Sequence, residues 1–246
     1  MTLKKAILTI AALAAAGQVA AYQVEVSGEV NTNDYVDSFM VGGDYYLNPV
    51  SQNTGPWAEA AFLEKASYVG VHFIDLDDNS GMLAKGRYHI NEQFFFDAGV
   101  TFGDLDSVIV GGGLYLDSST TIAAHIEDGD DLDTFSADYK QLIFRNDGTY
   151  LNMDLGVSHT SYDNNGAFDD QDMTRVTAGG DYYLDKATSI GGEVGLAFGD
   201  IDGKSFQVRA ERFLQDNIAV NGGIEFADYD NADSDTGLIF GATARF

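Results

Sequence analysis

The sequence predicts a closed antiparallel β-barrel that crosses a membrane with its strands. Three observations lead there. Segments of roughly ten residues alternate apolar with polar side chains along most of the chain. Turn-forming residues separate those segments. The polar face of nearly every segment repeats Gly, Asp, Glu, Asn, Arg and Thr. A soluble sandwich also alternates, but its apolar faces must meet in one dry core. A barrel in lipid turns the apolar face outward, keeps the polar face around water and leaves no strand edge unpaired.

Composition narrows the classes further. The chain has 246 residues, 39 Asp+Glu against 13 Lys+Arg, a net charge of −26, and no cysteine. Disulfides, thiolate metal sites and cysteine nucleophiles are therefore excluded. No clustered basic face exists to hold a polyanion, which argues against nucleic acid as a partner. At 45% hydrophobic and 12% aromatic residues the chain is not an acidic disordered tail either.

Residues 1–21, MTLKKAILTIAALAAAGQVAA, read as a cleaved signal peptide. Lys4 and Lys5 form the basic head, Ala6 to Ala16 the apolar run, and Val19 and Ala21 the small-residue positions before the cut. An uncleaved anchor is the alternative. Loss of the two lysines takes the charge from −26 to −28 for the expected mature chain, 22–246. No later run of 18 apolar residues offers a membrane helix.

Alternation places about 14 strands, at 22–30, 35–47, 57–74, 82–90, 94–103, 107–116, 120–128, 134–144, 149–161, 172–184, 188–199, 204–214, 218–229 and 236–246. Twelve is the second choice. In 149–161, Leu151, Met153, Leu155 and Val157 should face lipid while Asn152 and Asp154 face the lumen. The region 48–66 fits least well: Pro49 and Pro56 bracket a longer connection, and AEAAFLEKA is rich in helix formers. A short helix there is an alternative to the start of the third strand.

The turns are of two kinds, alternating along the chain. Short ones (INEQ 90–93, LDSS 116–119, RNDG 145–148, LDKA 184–187, LQDN 214–217) suit a periplasmic end. Acidic ones (LDDNSG 76–81, GDDLD 129–133, DNNGAFDDQ 163–171, GDID 199–202, DYDNADSD 228–235) suit outward loops. VGGDYYLNP, VGGGLYLDS and AGGDYYLDK form a weak repeat, which places Tyr46, Tyr115 and Tyr183 near an interfacial aromatic girdle. Beyond 48–56 no loop is long, so a constriction loop folded into the lumen is not expected.

Candidate pore-lining residues follow from the polar faces: Lys85, Arg87, Asp97, Asp154, Arg175, Asp181, Glu193, Arg209, Glu211 and Glu225, with Asp138, Lys140 and Gln207 continuing the pattern. Bases cluster on even strands, and the acids Asp97, Asp154, Glu193 and Glu225 on odd ones, so neighbours present opposite charges across the ladder, although Asp138, Asp181 and Glu211 share even strands with the bases. If Asn91, Glu92 and Gln93 form a three-residue turn, Ile90 faces Phe94, and Arg87 lies opposite Asp97.

No catalytic residue is proposed. His125 shares a polar face with Glu127, and His159 lies off its strand's polar set. His159 stands beside Ser158, but neither histidine sits in a repeated motif, and both read better as lumen-facing or rim residues. Asp75, Asp77, Asp78, Asn79 and Gly81 faintly resemble a calcium loop, but the bidentate Glu that such a loop needs is missing. Asp228, Asp230, Asp233 and Asp235 form a second acidic cluster, and both read better as a solvated rim. The paired glycines lack the Lys-Ser/Thr of a phosphate loop. No cofactor or metal is implied.

The last ten residues, GLIFGATARF, resemble the C-terminal signature of bacterial outer-membrane barrels through Gly241, Ala244 and the terminal Phe246. Ile239 departs from it, where a polar residue is usual. The stretch LNPV…GPWAEAAFLEKAS (47–67) is similar to one found in small porins of marine gammaproteobacteria. The resemblance implies a Gram-negative outer-membrane location, contact with lipid and lipopolysaccharide, recognition of Phe246 by the barrel-assembly machinery, and a pore. It carries over no catalytic residue. The expected function is a porin for passive diffusion of small hydrophilic solutes, with modest cation preference from the acidic loops and lumen. The alternative is a non-channel structural or adhesin-like barrel. Solute identity and oligomeric state are left open.

Overall fold

A computed structural model describes residues 21–33, 37–76, 79–130, 132–162, 171–230 and 234–246. These residues form fourteen strands: β1 (Ala21–Thr32), β2 (Ser38–Ser51), β3 (Tyr68–Leu76), β4 (Asn79–His89), β5 (Phe94–Gly103), β6 (Ser107–Tyr115), β7 (Thr120–Gly129), β8 (Leu132–Phe144), β9 (Tyr150–Tyr162), β10 (Gln171–Tyr183), β11 (Thr188–Gly199), β12 (Gly203–Gln215), β13 (Ile218–Tyr229) and β14 (Asp235–Arg245). Each pairs antiparallel with its chain neighbours, and β1 pairs with β14, so the sheet closes without an edge. The seam is fastened at the C-terminus. Phe246 O accepts from the amides of Gln23 and Val24, and Phe246 N donates to Val24 O. Of the expected signal segment, residues 1–20 lie outside the described residues, and Ala21 pairs with Ser51.

Facing follows the period-two reading. In β9, Met153, Leu155 and Val157 are exposed on the outside, while Asn152 is buried inside. An outer belt of Val, Ile, Leu and Phe runs round the wall. On transfer to lipid such a surface is favoured by hydrophobic burial.

Two expectations need correction, both near residue 50. The second strand runs to Ser51, and the third begins at Tyr68 rather than at 57. Pro49 sits within β2 where the β1–β2 register shifts between Tyr22 and Val24, so its missing N–H breaks no regular ladder bond. Residues 52–67 then leave the wall. Gly55 takes a left-handed φ of +96°, and Pro56 precedes a 3₁₀ turn (Trp57–Glu59) that runs into one helical turn, α1 (Ala60–Leu63). Lys65, at φ +50°, turns the chain back toward β3.

This segment folds into the barrel, contrary to the expectation that no connection would do so. It touches inward side chains of β1, β2, β6, β8, β10, β12 and β14, and only the interior brings those strands together. It therefore crosses the end where the short turns lie, hereafter the turn end. The same contacts correct the girdle assignment. Tyr46, Tyr115 and Tyr183 are each no more than 5% exposed and point inward. The helical segment supplies the packing partners that lipid was expected to supply.

The opposite, loop end is acidic, and part of that acidity is structural. GDLD (103–106) and GDID (199–202) make the same turn. Gly103 N donates to Asp106 Oδ1 and Gly199 N to Asp202 Oδ1, with both glycines at positive φ. Asp104 and Asp200 accept from the amides of Ser80 and Asp172 on the adjoining strands. Most of the 163–171 loop, together with Asp77, Asp78 and Asp233 of the two acidic clusters, lies outside the described residues.

Candidate channel interior

All ten residues expected on the lumen face occupy the inner face of the wall. The register shows this directly. Arg87 pairs with Asp97 across β4 and β5, and Asp97 with Gly111 on β6. The turn arithmetic holds: Ile90 N donates to Phe94 O at 2.9 Å. The Arg87 guanidinium grips Asp97 through two bonds, Nε to Oδ1 at 2.7 Å and Nη2 to Oδ2 at 2.9 Å, and lies 4.1 Å from the Phe95 ring centre. A planar fork on a carboxylate fixes direction as well as charge.

Further pairs join strands that are not neighbours. Arg209 on β12 holds Asp181 on β10 through bonds of 2.9 and 2.7 Å. His125 Nε2 on β7 meets Asp97 Oδ2 on β5 at 2.9 Å. Arg175 on β10 donates to Ser205 Oγ on β12, and Asn221 on β13 to Glu29 on β1. Each passes over one intervening strand, and each time a glycine lies beneath: Gly191, Gly111, Gly195 and Gly241. A Cβ on Gly191 would stand 2.1 Å from Asp181 Oδ1, and one on Gly111 2.1 Å from His125 Cδ2. These glycines give the side chains room to lie flat against the wall. Gly241, expected to belong to an assembly signal, thus also accommodates the Glu29–Asn221 bond. Ile239 faces inward between Asn31 and Gly223, and Ala244 is fully buried.

The helical segment meets the wall differently on its two sides. Toward β1–β6 the contact is dry. Tyr22, Tyr46, Val50 and Ala60 form a buried cluster, and Phe62 stacks on Tyr115, whose hydroxyl donates to Phe62 O at 2.8 Å. Lys65 lies 4.8 Å over the same ring and pairs with Glu92. Toward β8–β13 the contact is charged. Glu59 accepts from Tyr183 Oη at 2.9 Å and from Lys140 Nζ at 2.9 Å. Arg245, which also holds Glu25 at 2.6 Å, donates to Trp57 O at 2.7 Å, and Trp57 packs edge-on against Phe213.

Several interior groups escaped sequence reasoning. Glu25, Glu29 and Asp44 lie on the inner faces of β1 and β2 and were readable from alternation. Glu59 was not, because nothing local marks a helical turn as destined for the interior. His72 pairs with Asp44 at 3.0 Å, whereas His159 sits on the outer face, bonded to Thr174.

With the fold and interior in view, comparison with known proteins places the chain. Residues 1–151 and 115–246 match the model of a family described as "putative general bacterial porin". The chain belongs to this porin family. Among solved structures, this porin resembles the outer membrane protein Omp33 of Acinetobacter baumannii, with a TM-score of 0.75 over 93% of this chain and 100% of that one at 21% identity. It also resembles in-vitro folded OmpT of Vibrio cholerae, at a TM-score of 0.53, 10% identity, and 94% and 99% coverage. At these identities the likeness is one of fold. No curated protein matches the chain. A closed fourteen-strand wall in a porin family makes this an outer-membrane protein.

Proposed function

We propose that this porin is a passive diffusion channel for small hydrophilic solutes with a modest preference for cations, its turn end facing the periplasm. The observation that carries the reading is the charge left inside after pairing. Arg87, Lys140, Arg209 and Arg245 each hold a carboxylate within 3 Å. Arg175 lies 3.9 Å from Glu193, and Lys85 faces the Tyr68 ring. Against that, Glu29, Glu127 and Glu225 are bonded only to the neutral groups Asn221, Ser107 and Asn31, while Asp154 is bonded to Asn152 and lies opposite Lys140 in the ladder. Glu211 makes no hydrogen bond or ion pair among the described residues. A lumen with surplus carboxylates concentrates cations, and the acidic loop end adds to this at its mouth.

The reversal potential across a planar bilayer under a salt gradient tests this. Cation preference is expected at low salt and should fade as salt rises, since the mouth term is screened within about 8–10 Å at physiological ionic strength. Anion preference at low salt would overturn it and identify Lys85, Arg87, Arg175 and Arg209 as the selectivity element. One observation favours a second reading, a non-channel barrel: the 52–67 segment spans the turn end and packs on both sides of the wall. A barrel that inserts yet never produces conductance steps would establish that reading instead.

A further inference from the structure

The dry contact of the helical segment contains a titratable group that no partner meets. His89, the last residue of β4, points inward, its ring centre 5.6 Å from that of Phe95 and 5.8 Å from that of Tyr115. Tyr115 in turn carries the segment: Phe62 stacks on it at 5.6 Å, and Lys65 Nζ lies 4.8 Å over its ring. The His89 amide donates to Ser67 Oγ at 2.9 Å, where the segment ends. The imidazole therefore belongs to the packed unit that seats residues 52–67.

Both ring nitrogens of His89 are shielded from solvent, and neither has a hydrogen-bond partner among the described residues. The oxygens around them are taken. Asp97 on β5 receives Arg87 and His125, and Glu92 in the following turn receives Lys65. Ser67 Oγ receives the His89 amide, and the Tyr115 hydroxyl on β6 donates to Phe62 O. The charged groups that act on the ring are the cations Arg87 and Lys65 and their carboxylates Asp97 and Glu92. A neutral imidazole fits here as one aromatic ring among others, at the cost of one unmet N–H. A protonated imidazole would bring a second N–H and a full charge into a site without a free acceptor and beside two cations. Lifting the segment admits water to the ring, and a hydrated imidazole takes its proton near about pH 6.5.

We propose that His89 is an acid-sensitive catch for the 52–67 segment: neutral, it completes the dry seat, and protonated, it expels Phe62 and Lys65, so that the turn end of the channel opens as pH falls. The seated form binds fewer protons than the released form. Seating is therefore at full strength above about pH 6.5 and weakens by up to about tenfold for each pH unit below it. The proposal rests on the reading of the barrel as a channel and adds its regulation.

The test follows the segment itself. The chain has no cysteine and Glu64 is exposed on the segment, so Glu64→Cys carries a nitroxide label whose EPR spectrum reports the segment's motion. In the labelled barrel in lipid bilayers, the mobile fraction should rise between about pH 7.5 and 5, above the range where free carboxylates titrate, and fall again on return. His89→Phe keeps a ring that takes no proton, so its label should stay immobile over that range. His89→Gln serves the same purpose if the Phe variant does not fold, folding being checked by heat-modifiable gel mobility. Glu92→Gln removes the carboxylate that holds Lys65. It should loosen the seat at both pH values and leave the acid step in place. An acid step that is absent from the parental barrel, persists unchanged in the folded His89 variants, or vanishes in Glu92→Gln overturns the proposal. Single-channel recording over the same pH range separates its failure from that of the channel reading. Label release without conductance steps at any pH sinks the channel reading alone, and conductance steps with a label immobile at every pH sink the catch alone.

Discussion

The helical segment at 52–67 meets one half of the barrel through packed aromatic rings and the other half through buried charged groups. On the β1–β6 side, Phe62 and Ala60 press against Tyr115, Tyr46 and Tyr22, and the contact is apolar and dry. On the β8–β13 side, Glu59 bonds Lys140 and Tyr183 directly, at the edge of a polar cavity. The difference separates two tasks. Burial of aromatic surface anchors the segment, while Glu59 ties it to the opposite wall through charged and hydrogen-bonded contacts. A segment packed dry all round would be a permanent stopper, and one packed on polar contacts alone would have little to hold it.

The comparison can be broken outright by replacing residues 53–66 with a short turn. Single-channel conductance should then rise severalfold, because the obstruction at the turn end is gone while the wall remains. An unchanged conductance would mean that the segment does not lie on the permeation path.

The two sides can then be tested one at a time. Tyr115→Ala removes a stacked ring and its hydroxyl bond from the dry side and should cost about 3–4 kcal/mol in denaturant unfolding from micelles. Tyr183→Phe, on the polar side, removes only the bond to Glu59 and should cost about 1–2 kcal/mol. Equal costs would erase the distinction between the two sides.

Gly191→Ala probes the charged wall behind the cavity. The new Cβ would stand 2.1 Å from Asp181 Oδ1 and 2.5 Å from Gly180 O. Displacing that carboxylate from Arg209 should destabilise the barrel by about 1–3 kcal/mol. Gly148→Ala is the contrast for space, since nothing lies within 4 Å of a Cβ there, although its φ of +83° adds strain of its own.

The smallest effect belongs to the turn end outside the wall. The Ser119 amide, followed by the hydroxyls of Thr120 and Ser119, holds the Asp117 carboxyl below its usual range. A depressed folded value means that this turn adds stability above the unfolded carboxylate range and loses it as pH falls through the folded value. An NMR titration of Asp117 should show the shift. A midpoint at or above that of a free carboxylate would remove the contribution.

Much of this was legible in the sequence. Period two fixes which side chains face inward whatever the surroundings, so all ten expected lumen residues fall on the inner face, and fourteen strands emerge from alternation alone. A three-residue turn fixes the register of one hairpin, so Arg87 and Asp97 could be paired from Ile90 and Phe94. Local rules stop at the neighbouring strand. The Arg209–Asp181 and His125–Asp97 bonds depend on the stagger of three strands at once and on a glycine in the middle one. The aromatic repeat was visible, but whether Tyr46, Tyr115 and Tyr183 met lipid or protein depended on what stood inside. That was decided by residues 52–67, whose helix-forming composition says only that they leave the sheet. Their direction is set by tertiary closure: a ring of inward tyrosines exists only once the first and fourteenth strands have joined, and only then is the interior the place where Phe62 and Ala60 lose the most contact with water.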